Sequence, residues 1–318
     1  MPIIWLSLKH PLRRTTGGYQ MHHATRRDVL KALGLLAAGS SLPMIDAATA
    51  FAQSPFPGIN FGVQLNAFPI DPKNFQTFLD TLATVKQIGY QGFESAYRNV
   101  QEEFTSPQSA RKQIEETGLT FFGVHIFLVT AQYDPDTCVA PASLYQPVAQ
   151  GGAALGAKYL ILSGAPAATP EQLKHKIAGL NGAGEYARKA GLSLAYHNHW
   201  PEFESKIGEM EALYTETDPK LVHFVLDAGH AYRGGADVPA FIRAHSQRLV
   251  GLHLRDYKDG RLVSLGQGTF PLADVAATIK EIGWKGWVEN EEEREDLSKT
   301  DPEVLAAAYK AMKQAFSS

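Results

Sequence analysis

LAYHNHW (194–200), FVLDAGH (224–230), GLHLRDY (251–257) and WVENEEE (287–293) share one design. Each is a short β-rich apolar run that ends in a side chain able to bind a metal: His197, Asp227, His253 and Glu291. Strands separated by helical segments close most simply into a barrel of parallel strands, and the carboxyl ends of barrel strands are where such folds keep their chemistry. One divalent cation could gather all four groups.

Outward from these stretches the alternation continues. Strand-like runs fall at 61–66, 92–96, 119–127, 158–163, 192–198, 222–227, 249–255 and 287–291. Helical periodicity fills 72–88, 107–117, 143–156, 170–190, 206–216, 237–245 and 271–282, and a closing helix is expected at 302–316. Thr169-Pro170-Glu171 is a helix start, and Gly118, Gly191 and Gly283 are helix stops. Eight β-then-α units in one unbroken stretch predict an α/β fold, a (β/α)8 TIM barrel. A doubly wound sheet would carry a glycine-rich phosphate turn after its first strand, and GVQLNAFP is followed by none. The glycines of AQGGAALGAKY lie within a helix ahead of a strand, where they serve close packing.

The first 52 residues read as an address. Arg26-Arg27 precedes an apolar run at 33–38, and Ala50-Phe51-Ala52 supplies a small-x-small cleavage pattern. This resembles a twin-arginine export signal, so residues 1–52 are expected to be removed and 53–318 to form a single catalytic barrel domain, exported to the periplasm. The apolar run is too short to span a bilayer, so no stable membrane anchor is expected after cleavage. Met21 is an alternative start.

Six of the 30 Lys and Arg and two of the 33 Asp and Glu fall in that segment, which leaves 24 against 31 and a net charge near −7. Such acidity argues against nucleic acid, whose phosphates require a basic stripe. The single Cys138 excludes an internal disulfide. Homo-oligomerisation is left open.

A buried carboxylate at a strand end is costly unless it is paired, protonated or bound to metal, so Asp227 after Phe-Val-Leu needs a partner. A structural hydrogen bond would explain one such Asp, and a satisfied core imidazole one His253. Four groups at corresponding positions favour a shared ion. In the acidic run, alternation sends Glu289, Glu291 and Glu293 one way and Val288 and Asn290 the other, so periodicity alone does not choose the ligand.

Further motifs carry a family resemblance: Gly89-Tyr90-Gln91-Gly92-Phe93-Glu94, His125 in FGVHIF, Tyr196-His197-Asn198-His199, Leu226-Asp227-Ala228-Gly229-His230, His253-Leu254-Arg255-Asp256 and Gly283-Trp284-Lys285-Gly286. In order and spacing the chain resembles the sugar phosphate isomerase/epimerase superfamily, the xylose-isomerase-like barrels. Relatives of this kind hold one divalent metal with Glu, Asp, His and Glu from strands five to eight. The resemblance places Asp227 and His253 in that set, and by the count from Gly286 it selects Glu291, with Glu289 as runner-up. At strand five it departs: where many relatives read Glu-Asn-His, this chain has His197-Asn198-His199. His197 could be a ligand, a base or a residue behind the ligands, and Glu204 or Glu202 could supply the missing carboxylate.

The resemblance implies one ion of Mn, Mg, Co or Zn and a small carbohydrate substrate. Glu291 is expected as acid/base with His197 or Glu204 as counterpart, and His230 and Arg255 as clamps for hydroxyls or an anion. Gln64, Asn66, Glu94, His125, His199 and Trp200 are expected to line the substrate space, with Glu94 and His125 on the wall opposite the metal. A metal-dependent isomerase or epimerase acting through an enediolate is the first expectation. A lyase or dehydratase of keto-sugars or 3-keto-glycosides is the alternative, and a non-catalytic sugar-binding barrel the third.

Overall fold

The computed structural model describes residues 56–292 and 302–317. The expected export signal and Glu293 lie outside them. Eight parallel strands close into a barrel: β1 (Ile59–Gln64), β2 (Gly92–Ala96), β3 (Thr120–Ile126), β4 (Tyr159–Leu162), β5 (Ser193–His197), β6 (Val222–Asp227), β7 (Leu249–Leu254) and, last in the chain, β10 (Gly286–Asn290), which pairs with both β7 and β1. Between β7 and β10 the chain adds a small antiparallel hairpin, β8 (Asp256–Lys258) and β9 (Arg261–Val263), which the sequence reading missed. Its turn, Asp259-Gly260, has both φ angles positive, and neither flanking run is apolar enough to signal a strand. Among the described residues no helix is long and apolar enough to cross a membrane.

Helices return the chain between strands, and their ends follow from local chemistry. Thr169 accepts from the amide of Gln172 to open Pro170–Lys189, and Asn74 accepts from Gln76 to open Phe75–Ile88. The larger apolar core lies between helices and the outer face of the strands. A second, small core fills the inside of the barrel: Phe122, Ile161, Ala195 and Val225, with Tyr159, Val250 and Trp287 packed against it.

That inner plug positions the site. Side chains alternate along a strand, so two residues beyond Ile161, Ala195, Val225 and Gly251 the same inward face presents Ser163, His197, Asp227 and His253. Trp287 is followed in the same way by Glu289 and then Glu291. Below, the barrel is apolar. Above, it is almost wholly polar.

Candidate metal centre

Register brings the groups to one height. Asp227 stands opposite His253 across the β6–β7 pair, and Glu289 stands opposite His253 across β10–β7. An irregularity between Phe224 and Val225 shifts β6 against β7 by one residue to achieve this. Beyond β10 the amide of Glu291 still donates to Leu254 O at 3.1 Å, which carries Glu291 to the rim above Glu289.

Local structure then aims each side chain. Asp227 caps the helix Ala228–Arg233: its Oδ1 accepts from the His230 amide at 2.7 Å, leaving Oδ2 for the interior. Asn198 ties β5 to β6 by accepting from the Asp227 amide at 2.9 Å and donating to its carbonyl at 3.1 Å. Gly229 lets that helix lie against the end of β7, since a Cβ there would stand 2.2 Å from Arg255 Cγ. Gly62, across from Glu289, leaves room for that carboxylate.

His197, Asp227, His253 and Glu291 are fully or almost fully buried, and one donor atom from each lies within 4.8 Å of the others. His197 Nε2 is 3.1 Å from His253 Nδ1, 3.4 Å from Glu291 Oε2 and 3.5 Å from Asp227 Oδ2, and His253 Nδ1 is 2.6 Å from Glu291 Oε2. Ligands ~2.0–2.2 Å from one ion stand about 3.0–3.5 Å apart in tetrahedral or octahedral arrangements, so most of these spacings fit a single divalent cation. Two imidazoles and two carboxylates are also a suitable donor set for one. Two ring nitrogens 3.1 Å apart are met either by one shared proton or by a cation between them.

Charges of both signs are packed together in this centre. Burial opposes ionisation of Asp227, but Arg255 and His230 hold it well below the usual carboxylate range. Glu291 is held low in the same way, against burial, by Arg255 and His253. Burial also opposes a charge on His253, yet Glu94 and Glu291 on its two sides raise it well above an ordinary imidazole. His197, pulled the same way by Asp227 and Glu291 against burial, rises to about 9. Glu289 differs. Neither of its buried oxygens has a hydrogen-bond partner, its nearest ionic neighbour is His253 Nε2 at 3.9 Å, and burial with Glu94 beside it pushes its carboxyl far up. Glu94, His253 and Glu289 thus form a second close group that shares His253 with the first.

Other residues named from the sequence fall in several places. Arg255 donates from Nε to Asp227 Oδ2 at 2.7 Å and pairs through Nη2 with Glu291 Oε2 at 2.6 Å. It therefore braces the ligands, while Asp256 beside it accepts from the amides of Tyr257, Gly266, Gly268 and Phe270 and shapes the loop. Asn66 donates to Glu291 Oε1 at 3.4 Å, while Gln64 turns back to accept from the Asn66 amide. His199 and His230 sit near the rim with ring centroids 5.1 Å apart. Burial, then His197, lowers His199 to about 4, and burial with Arg255 holds His230 well below an ordinary imidazole, so both rings are uncharged at neutral pH. Tyr257 OH lies 3.0 Å from His230 Nδ1, and Trp200 is half-buried with Arg233 stacked over it at 4.7 Å.

Glu94 stands on β2, across the barrel from β6, and reaches over the interior: its Oε2 is 3.0 Å from His253 Nε2, and its Oε1 is 2.7 Å from His125 Nδ1. Two expectations are corrected. Glu202 faces away from the barrel interior and is buried against Lys176 Nζ at 2.8 Å, and Glu204 is exposed at the end of the helix Trp200–Phe203. Neither supplies a carboxylate at the cluster. Ser163, which sequence reading passed over, joins the buried polar groups, and its one signal was its place two residues beyond the inward Ile161.

The sequence profile of the xylose isomerase-like TIM barrel family matches residues 82–315. Inosose dehydratase of Lactiplantibacillus plantarum is 30% identical over 169 residues, 47% of this chain and 56% of that one. The chain spans about half the length of the curated relatives it matches. Among solved structures, IOLI protein with a binding zinc atom superposes with a TM-score of 0.67 at 17% identity, over 81% of this chain and 98% of that one. The 3-keto-D-glucoside 4-epimerase YcjR from E. coli gives 0.59 at 16%, over 79% and 99%. At these identities the structural likeness is one of fold.

Proposed function

The chain belongs to the xylose isomerase-like TIM barrel family, and on that premise we propose that it is a metal-dependent lyase or dehydratase acting on a keto-sugar or 3-keto-glycoside. The observation that carries this reading is the composition of the cluster: four converging buried donors spaced for one ion, with only one glutamate, Glu291, among them. A divalent cation held by His197, Asp227, His253 and Glu291 would polarise a carbonyl and its neighbouring hydroxyl, lowering the cost of the enediolate formed when the adjacent C–H is deprotonated.

The side chains divide the remaining work. Glu291, ionised and oriented by Arg255 and Asn66, accepts the proton next to the carbonyl. Epimerisation by two opposed carboxylates would need a second glutamate where His197 stands, and Glu202 and Glu204 are turned to other surroundings. Elimination needs one base and a proton for the departing oxygen, and Glu291 serves for both: the proton it takes from carbon leaves with that oxygen as water or alcohol. His199 and His230, uncharged at the rim, hydrogen-bond the substrate's hydroxyls, and Tyr257 fixes the His230 ring. An isomerase or epimerase is the second reading, supported by the same enediolate, to which Glu291 would return the proton it has taken.

Two measurements test this. Metal content of the purified chain should approach one ion per molecule and fall to background in Asp227→Ala; equal occupancy in both would remove the centre. With Mn added, a panel of inososes, ketoses and 3-keto-glycosides followed by NMR should give an unsaturated or released product. An isomeric sugar alone would transfer the assignment to the second reading. We further infer export in the folded state by the twin-arginine route, which predicts unphosphorylated substrates; periplasmic accumulation should stop when Arg26 and Arg27 are both replaced by Lys.

A further inference from the structure

We propose that Glu94, His125 and Ser163 form one buried brace that fixes the rear nitrogens of both histidines in the metal cluster, so that the front nitrogen of each faces the ion. The proposal rests on the metal reading above and assigns Glu94 and His125 a positioning role in place of substrate contact.

The contacts are continuous. His253 Nε2 lies 3.0 Å from Glu94 Oε2, and Glu94 Oε1 lies 2.7 Å from His125 Nδ1. His125 Nε2 lies 2.8 Å from Ser163 Oγ, which lies 3.3 Å from His197 Nδ1. The chain of groups runs from β7 to β2, then β3, the end of β4 and β5, and every member is at most 1% exposed. His197 Nε2 and His253 Nδ1 then face each other at 3.1 Å, closing the circuit at the ion's position.

Proton counting gives the circuit a direction. An ionised carboxylate accepts and cannot donate, so both rings touching Glu94 must present N–H to it: Nε2–H of His253 and Nδ1–H of His125. His125 Nε2 is then the acceptor, and the Ser163 hydroxyl donates to it. The Ser163 oxygen is left to accept, and the N–H facing it is Nδ1–H of His197. One carboxylate at one end thereby sets the tautomer of a histidine at the other end, and with an ion bound both front nitrogens offer lone pairs. A ligand histidine free to choose its tautomer would spend part of its time with a proton where the ion must sit.

The test is zinc binding by chelator competition, with imidazole ¹⁵N shifts of the zinc-loaded protein, in wild type and in Glu94→Gln, Ser163→Ala and Ser163→Thr. In Glu94→Gln the affinity should fall by ~10–100-fold. Ser163→Ala should show a smaller loss, with the His197 Nδ1 resonance shifting because its N–H has lost the Ser163 oxygen. Ser163→Thr, which keeps the hydroxyl, should restore the wild-type affinity and shifts. Unchanged affinity and unchanged shifts in folded Glu94→Gln and Ser163→Ala would overturn the brace while leaving the metal centre intact. If Glu94→Gln does not fold, the Ser163 pair decides alone. Failure of the wild-type chain to bind zinc would instead sink the metal reading, and the brace with it.

Discussion

Tyr196 and His197 are neighbours on β5 that face opposite ways, and each leads into a buried charged network. Outside the barrel, Tyr196 donates to Glu202, and Lys176 Nζ donates to Glu202 at 2.8 Å, Glu209 at 2.6 Å and Ala165 O at 2.8 Å. The ammonium has three hydrogens and all three are used. Although burial disfavours its charge, the two carboxylates keep Lys176 ionised. Inside the barrel, His197 joins a network whose donors converge on one another and which leaves both oxygens of Glu289 without a hydrogen bond. The outer network supplies its own cation and is closed. The inner one has Arg255 as brace and still more ligand atoms than partners. Closure marks a structural network, and convergence without closure marks a site.

Substitutions can break that contrast. The largest effect is expected from Glu291→Gln, which should lower turnover by roughly 10²–10⁴-fold in steady-state assays. The outer network should show the reverse: Lys176→Met should cost about 3–5 kcal/mol in urea unfolding, because it strands two buried carboxylates, yet leave zinc stoichiometry per folded molecule at the wild-type value. If Lys176→Met lost zinc instead, the two networks would be one.

Acidity sharpens the comparison. In the metal-free chain His197 is held at about 9, above the usual imidazole value near 6.5. Its contribution to stability is therefore fully present below about pH 6.5 and is lost as pH rises through 9. Asp227 and Glu291 are held low, so their contribution is present above about pH 4 and is lost on further acidification. Calorimetry with a chelator should show the melting temperature falling from pH 6 to 10. With zinc present, where the ion takes the place of the proton, the fall should be absent. The smallest effect belongs to Glu204→Gln, an exposed group whose replacement should change turnover less than ~2-fold and stability by no more than ~0.5 kcal/mol. A larger loss of turnover would return Glu204 to the role first suggested for it.

How much could be read in advance varies along the chain. Each of the eight strands lies within about two residues of its expected ends, because buried parallel strands are short apolar runs between helix stops and starts. Asp227 and His253 stood out as polar groups ending such runs. The β8–β9 hairpin did not, since its few residues are mixed in polarity. Glu202 was misread because its partners, Lys176 and Glu209, are helical residues distant in sequence, and nothing local announces a buried ammonium.

Alternation and punctuation in the sequence determined the barrel, its strand order and the inward parity of His197, Asp227, His253, Glu289 and Glu291. Only the tertiary structure decided which of these meet. Parity gives the side of a strand but not its height or its angle around the barrel. Those depend on register and on the irregularities at Phe93/Glu94 and Phe224/Val225, which shift neighbouring strands by a residue. The same shifts bring Glu94 from β2 across the interior to the back of His253 on β7, a contact between residues 159 apart in sequence.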